Sequence, residues 1–144
     1  MQRVLPQVFA GSDVRCIVGG QSIKTAHKIG PVSFYPYVPA GDLLPHCDWT
    51  ICHGGQNTII QSLSHGVPLL VFPGPIFERR YNAEKVTQAG VGYMGEKPDF
   101  GLTWLEEKLA TQNDCTVRAA ELSRRIRSYG GARAAVEAIE AWHS

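Results

Sequence analysis

The stretch WTICHGGQNTIIQSLSHGVPLLVF, residues 49–72, restricts the fold of this chain more than any other segment. WTIC (49–52) reads as a strand, a Gly54-Gly55 pair follows it, and the pattern then turns helical over about residues 58–65. Gly66 suits the left-handed residue after a helix end, and Pro68 stops any continuation. LLVF (69–72) is a continuous apolar run, as expected of a strand whose two sheet faces are both covered. Strand, helix and strand in that order imply parallel pairing through a right-handed crossover. Ligands in such sheets bind beyond the carboxyl ends of the strands.

The flanking sequence extends the alternation. Residues 2–10 place Val4, Leu5, Val8 and Phe9 on one helical stripe, with Pro6 tolerable only near the first turn. Gly11 and Asp13 break it. VRCIV (14–18), closed by Gly19-Gly20, and PVSFY (31–35) are short β-rich runs. Pro36, Pro39 and Gly41 force a loop, where Asp42 is expected to cap a short turn through Leu43 and Leu44. After LLVF a loop rich in Pro and Gly leads to a helix near residues 80–88, ended by Gly90, and VGYM (91–94) is a last short strand. The tail is helical. Trp104, Leu105 and Leu109 mark one helix; Ala119, Leu122 and Ile126 a second; Ala132, Ala135, Val136, Ile139 and Trp142 a third. Arg118, Arg124, Arg125, Arg127 and Arg133 interleave with Glu121, Glu137 and Glu140 and read as a solvated helix surface. The expected class is α/β: a Rossmann-like, mostly parallel sheet with helices on both faces and a helical C-terminal tail.

Length and charge exclude several classes of function. The 144 residues fit one domain, and 44% hydrophobic against 19% charged residues suffice for an ordinary core. A formal net charge of +1 argues against bulk electrostatic binding of nucleic acid or anionic membrane. No apolar run approaches the roughly 18 residues of a membrane span. MQRVLPQVFAG has none of the ordered features of a signal peptide, so a cytoplasmic protein is the default expectation. Cys16, Cys47, Cys52 and Cys115 form no C-x-x-C. His46 and His53 lie near Cys47 and Cys52, but at a spacing that matches no standard zinc pattern. Reduced, buried thiols are expected, and no metal ligand is assigned.

The glycine pair is where chemistry enters. A glycine lets the backbone turn sharply and lets a ligand approach without meeting a Cβ atom. A helix start offers unpaired N–H groups and the positive end of the dipole, a combination suited to phosphate. Gln56, Asn57 and Thr58 add side-chain donors there, and His53 adds an imidazole. The purely structural alternative makes Thr58 the N-cap and Gln61 the far end of a capping box, since Thr-x-x-Gln has the right spacing.

HGGQNTIIQSLSHGVPLLVFP resembles the nucleotide-sugar signature of the UDP-glycosyltransferases of the GT-B fold. Upstream, YVPAGDLLPHCDWTICHGG is similar to that family's aromatic-x-Pro, leucine turn and strand ending in His. Downstream, PGPIFERRYNAEKVTQAGVG resembles its loop, helix and Gly-x-Gly segment. The likeness is strong over residues 35–92 and looser in the terminal helices. It implies a single donor-binding domain over residues 1–144, the C-terminal half of such an enzyme, for a UDP-sugar or dTDP-sugar donor and no separate cofactor. It also implies that Tyr37 stacks on the nucleobase and that the Val38 backbone meets the base edge. His53, Gly54, Gly55, Gln56, Asn57 and Thr58 fall at the diphosphate, Gln61 at the ribose, and Glu78 and Arg79 at the sugar hydroxyls.

Three departures from the family pattern bear on the donor. Gln61 is an amide where a carboxylate is usual. Arg79 replaces Gln and brings a planar, always-charged fork suited to a carboxylate or phosphate. Ala40 replaces a polar residue common in some branches. No Asp-x-Asp is present to hold a metal on the leaving diphosphate, so the helix start and His53 are expected to meet that charge. The base that takes the acceptor's proton comes, in the family, from an N-terminal acceptor-binding domain. No catalytic residue is therefore assigned in this chain, which opens directly in a helix and by the resemblance lacks even the first strand of the donor domain. His27, His46, His65 and His143 fall outside the matched motifs and read as surface or helix-end residues. Besides a donor-binding enzyme half, inactive alone, the sequence allows a non-catalytic binding subunit of a two-component transferase, or a fragment without ligand. A sugar-nucleotide epimerase of the same fold would need acid–base carboxylates that are not found.

Overall fold

The computed structural model describes residues 4–142, apart from the side chains of residues 112 and 113. The beginning of the expected first helix and His143 lie outside the described residues. Among the described residues six short strands occur: β1 (Cys16–Gly19), β2 (His27–Ile29), β3 (Val32–Tyr35), β4 (Thr50–Cys52), β5 (Leu69–Val71) and β6 (Gly92–Met94). The helices are α1 (Leu5–Val8), α2 (Ala40–Leu43), α3 (Gln56–Ser64), α4 (Phe77–Gln88), α5 (Leu102–Ala110), α6 (Gln112–Ser128) and α7 (Gly131–Trp142), with short 3₁₀ turns after α2 and β6. The strands make two three-stranded sheets, ordered β1-β3-β2 and β4-β5-β6. The second is wholly parallel, and β1 also pairs parallel with β3. β2 runs antiparallel to β3.

The alternation along β5 explains why helices cover both faces. Leu69, Leu70 and Val71 are fully buried. Leu70 points into one core with Leu5, Val8 and Phe9 of α1, Val32 and Phe34 of β3 and Leu105 of α5. Leu69 and Val71 point into the other, with Ile59 and Leu63 of α3, Ala83 and Val86 of α4 and Ala119 of α6. Successive strand residues face opposite ways, so an uninterrupted apolar run serves both layers. Each large side chain removed from water contributes about 1.5–3 kcal/mol.

Three expectations are corrected. β2 is not foreseen: His27, Lys28 and Ile29 are all exposed and carry no alternation, so only the pairing with β3 reveals the strand. The turn before β4 needs no Asp42 cap; α2 begins after Pro39, no side chain caps it, and Asp42 lies within its first turn. α3 begins at Gln56, so Thr58 is its third residue and not an N-cap, and no capping box forms with Gln61. Gly55, free of a Cβ, takes the cap position and lets the helix start two residues early.

Elsewhere the pattern reading agrees. Gly66, at φ +74°, closes α3. The tail divides into three helices near their expected places, and α6 packs Ala119, Leu122 and Ile126 against α3 and α4. Its surface arginines include one with a partner: Arg127 donates from Nε and Nη2 to the Ser64 carbonyl at 3.1 and 3.0 Å, where the Ser123 hydroxyl donates at 2.7 Å. These donors satisfy a carbonyl that the end of α3 leaves without an intrahelical partner. α7 keeps its helical spacing, but Val136, Ile139 and Trp142 are exposed. Among the described residues no helix is long and apolar enough to cross a membrane.

Candidate functional site

β4 and β5 lie side by side and parallel, and each is followed by a helix: α3 after β4, α4 after β5. Both helix N-termini therefore stand at the carboxyl edge of the sheet. Neither has a side-chain cap. The turn into α3 is made by Gly54 at φ +89° and Gly55 in extended backbone. A Cβ on Gly54 would sit 2.8 Å from the Arg79 carbonyl and 3.1 Å from Val71 Cγ1. One on Gly55 would sit 3.0 Å from Nε2 of His53. The first glycine thus lets β4 and the first turn of α4 close together. The second lets the imidazole lie against the start of α3.

Gly54 itself is spoken for. Its amide faces the Cys52 thiol, and its carbonyl accepts from Asn82 Nδ2 at 3.0 Å. Its part is to turn the chain. The amides of Gln56, Asn57 and Thr58 belong to the first turn of α3 and have no carbonyl one turn earlier to meet. Gln56 and Asn57 are exposed, Thr58 is half-buried and His53 is exposed. An exposed, uncapped helix start with an imidazole beside it is arranged to receive an anion. Gln61 is exposed on α3, while its backbone carbonyl accepts from His65 Nδ1 at 2.9 Å.

The first turn of α4 brings in the remaining acid and base. Glu78 is exposed, and its Oε1 accepts from Asn82 Nδ2 at 3.3 Å. Arg79 is half-buried, and among the described residues no ion pair engages its guanidinium. Its neighbour Arg80 is committed: the guanidinium pairs with Glu96 at 2.8 Å, and that contact raises its pKa. Tyr37 and Val38 lie just past β3. The Tyr37 ring is 77% exposed, a flat face offered to solvent. Val38 packs over Gly19 at the carboxyl end of β1, where an added Cβ would meet it at 3.3 Å. Ala40 opens α2 immediately after. Of the other histidines, His27 stacks on Phe34 at 4.8 Å, His46 ends an exposed turn and His65 closes α3.

Asn82 is the residue that sequence reasoning missed. It joins the glycine turn to Glu78 across 28 positions of chain, and a lone amide on an α4 face gives no local signal of that. Three partly buried thiols, of which only Cys52 adjoins the turn, stay neutral. Burial pushes the Cys16 thiol up from 9.0 to about 11. Burial also raises Cys52, against the Gly54 amide that pulls it down, and burial with Asp48 raises Cys47.

Known proteins are similar to this chain in sequence and in fold. Residues 16–128 match the family described as erythromycin biosynthesis protein CIII-like, C-terminal domain. The chain is 31% identical over 107 residues to a demethyllactenocin mycarosyltransferase of Streptomyces fradiae, covering 72% of this chain and 23% of that protein. It is 29% identical over 108 residues to the NDP-glycosyltransferase YjiC of Bacillus subtilis (strain 168), covering 73% of this chain and 27% of that protein. The chain therefore spans about a quarter of the length of these relatives. In fold it is similar to CalG4, the calicheamicin glycosyltransferase, with a TM-score of 0.84 at 23% identity, over 98% of this chain and 38% of that one. The chain belongs to the erythromycin biosynthesis protein CIII-like C-terminal domain family of GT-B glycosyltransferases.

Proposed function

We propose that this chain is the donor-binding domain of a glycosyltransferase that moves a hexose-type sugar from a nucleoside diphosphate, UDP or dTDP, to an acceptor held elsewhere. The observation that carries the reading is the uncapped start of α3 at the carboxyl end of β4, with His53 against Gly55. The diphosphate lies on the amides of Gly55, Gln56, Asn57 and Thr58, with His53 donating to a phosphate oxygen. Tyr37 stacks on the base, and the Val38 backbone meets its edge. Gln61 reaches the ribose, and Glu78 and Arg79 face the sugar. Arg79, free of an acidic partner among the described residues, favours an anionic group on the donor.

Transfer leaves new negative charge on the departing diphosphate. The helix dipole contributes about 0.3–1 kcal/mol when exposed and up to ~2 when partly buried. Each charge-assisted hydrogen bond adds roughly 1.5–3 kcal/mol. These act on the leaving group without a metal. The proton of the acceptor goes to a base on an N-terminal domain or partner chain, which also binds the acceptor. Isothermal titration with UDP and dTDP tests this: saturable binding of at least one is expected, and no heat with either at millimolar nucleotide would contradict it. With donor and acceptor present, the 144-residue chain alone is expected to form no product, and product formation would place the base within it.

A further inference from the structure

Given the donor-binding role proposed above, we propose that Arg79 selects a donor whose sugar carries a carboxylate, a nucleoside diphosphate–uronic acid, by pairing its guanidinium with that group. Of the described arginines, Arg79 and Arg80 are half-buried and the others are exposed. A cation partly withdrawn from water loses hydration that a partner has to replace. Arg80 has its partners: Glu96 at 2.8 Å, and the Gly74 carbonyl, which accepts at 3.4 Å. Among the described residues the Arg79 guanidinium has no hydrogen-bond or ion-pair partner.

The acids around α4 are engaged elsewhere. Glu78, the chain neighbour of Arg79, accepts from Asn82 Nδ2 at 3.3 Å. Glu96 is held by Arg80, and the charge of Glu84 also acts on Arg80. The counter-charge for Arg79 is therefore expected from a ligand.

Its position brings the side chain within reach of a donor. A Cβ on Gly54 would lie 2.8 Å from the Arg79 carbonyl and 3.3 Å from Arg79 Cβ. The next residue, Gly55, is the cap position of α3. The root of Arg79 thus stands against the turn that delivers the α3 amides. In a nucleotide sugar the anomeric carbon is bonded through oxygen to the terminal phosphate. A diphosphate on those amides therefore holds its sugar next to the first turn of α4.

Chemistry chooses among the anions such a donor could carry. In the proposed complex the diphosphate is met by the α3 amides and His53. A planar guanidinium matches a carboxylate through two parallel N–H···O bonds. Arginine only donates, so a neutral sugar hydroxyl that must itself donate finds no acceptor on it. A carboxylate in place of the hydroxymethyl of a hexose adds charge with little change in size.

Calorimetry with UDP, UDP-glucose and UDP-glucuronate, and with their thymidine counterparts, tests this on the 144-residue chain and on Arg79→Gln and Arg79→Lys. The unmodified chain is expected to bind the glucuronate donor about 10- to 100-fold more tightly than the glucose donor. In Arg79→Gln the ratio is expected to fall to about one, and Arg79→Lys, which keeps the charge without the fork, to keep part of the preference. Equal affinity for the two sugars in an unmodified chain that binds UDP would overturn the carboxylate and leave the donor-binding role standing. No binding of any of these nucleotides would overturn both. An equal loss of UDP, UDP-glucose and UDP-glucuronate in Arg79→Gln would assign the guanidinium to the diphosphate instead. A second measurement needs no variant. The NMR signal of Arg79 Nε–H is expected to shift with UDP-glucuronate and to stay in place with UDP-glucose. The same shift with both would contradict the pairing.

Discussion

At the scale of single residues, the proposed site rests on His53, two glycines and one amide. His53 stands against Gly55 with nothing but hydrogen on the glycine between them. In the proposed complex His53 donates to a phosphate oxygen, a bond of roughly 1.5–3 kcal/mol, so His53→Ala is expected to weaken UDP about 10- to 100-fold by calorimetry. Gly54→Ala places a Cβ at φ +89° and 2.8 Å from the Arg79 carbonyl. A destabilisation of about 1–3 kcal/mol is expected in urea titration, from backbone strain before any clash is counted. Asn82→Ala unties the Gly54 carbonyl from α4 and is expected to cost about 1 kcal/mol of stability, with weaker nucleotide binding because the turn is no longer held. The residues of the glycine turn are legible in sequence, because a glycine pair between an apolar run and a helical pattern has few other uses. Asn82 is not, because its partner lies far away along the chain.

At the scale of elements, the start of α3 is set by what is absent. Gly55 carries no side chain to cap the helix, and none of its neighbours supplies one. Thr58 and Gln61 have capping-box spacing, yet spacing alone does not say where the first turn begins; the extended backbone of Gly55 decides it. The other end of α3 is held instead, by Ser123 and Arg127 on the Ser64 carbonyl. Arg127 is exposed, so solvent screens its charge. Arg127→Ala is expected to lower stability by about 0.5–1.5 kcal/mol and to leave UDP affinity unchanged, since the far end of the helix is altered. Long apolar runs and helix ends marked by Gly66 and Gly90 are readable in advance because they have local causes. β2 is not, since three exposed residues become a strand only by pairing with β3.

At the scale of the whole molecule, β5 joins two cores and both helix starts face one edge, which fits the doubly wound class read from the alternation of patterns. The separation into two sheets has no sequence signal, because it depends on which strands meet. The partly buried Cys16 thiol gives the molecule a pH response. A thiol raised from 9.0 to about 11, as Cys16 is, favours the folded state fully below pH 9.0. That contribution is lost as pH rises toward 11, because the unfolded chain ionises first. The urea midpoint is therefore expected to fall across that interval, and to fall less in Cys16→Val; an identical decline in both proteins would remove Cys16 as a cause.

The central claim is that free amides at the start of α3 take up the diphosphate. The most direct measurement is a backbone-amide NMR titration of the chain with UDP. Saturable shifts at Gly55, Gln56, Asn57 and Thr58, reduced in His53→Ala, are the result expected. Binding that leaves those four amides unmoved while others shift would contradict the account.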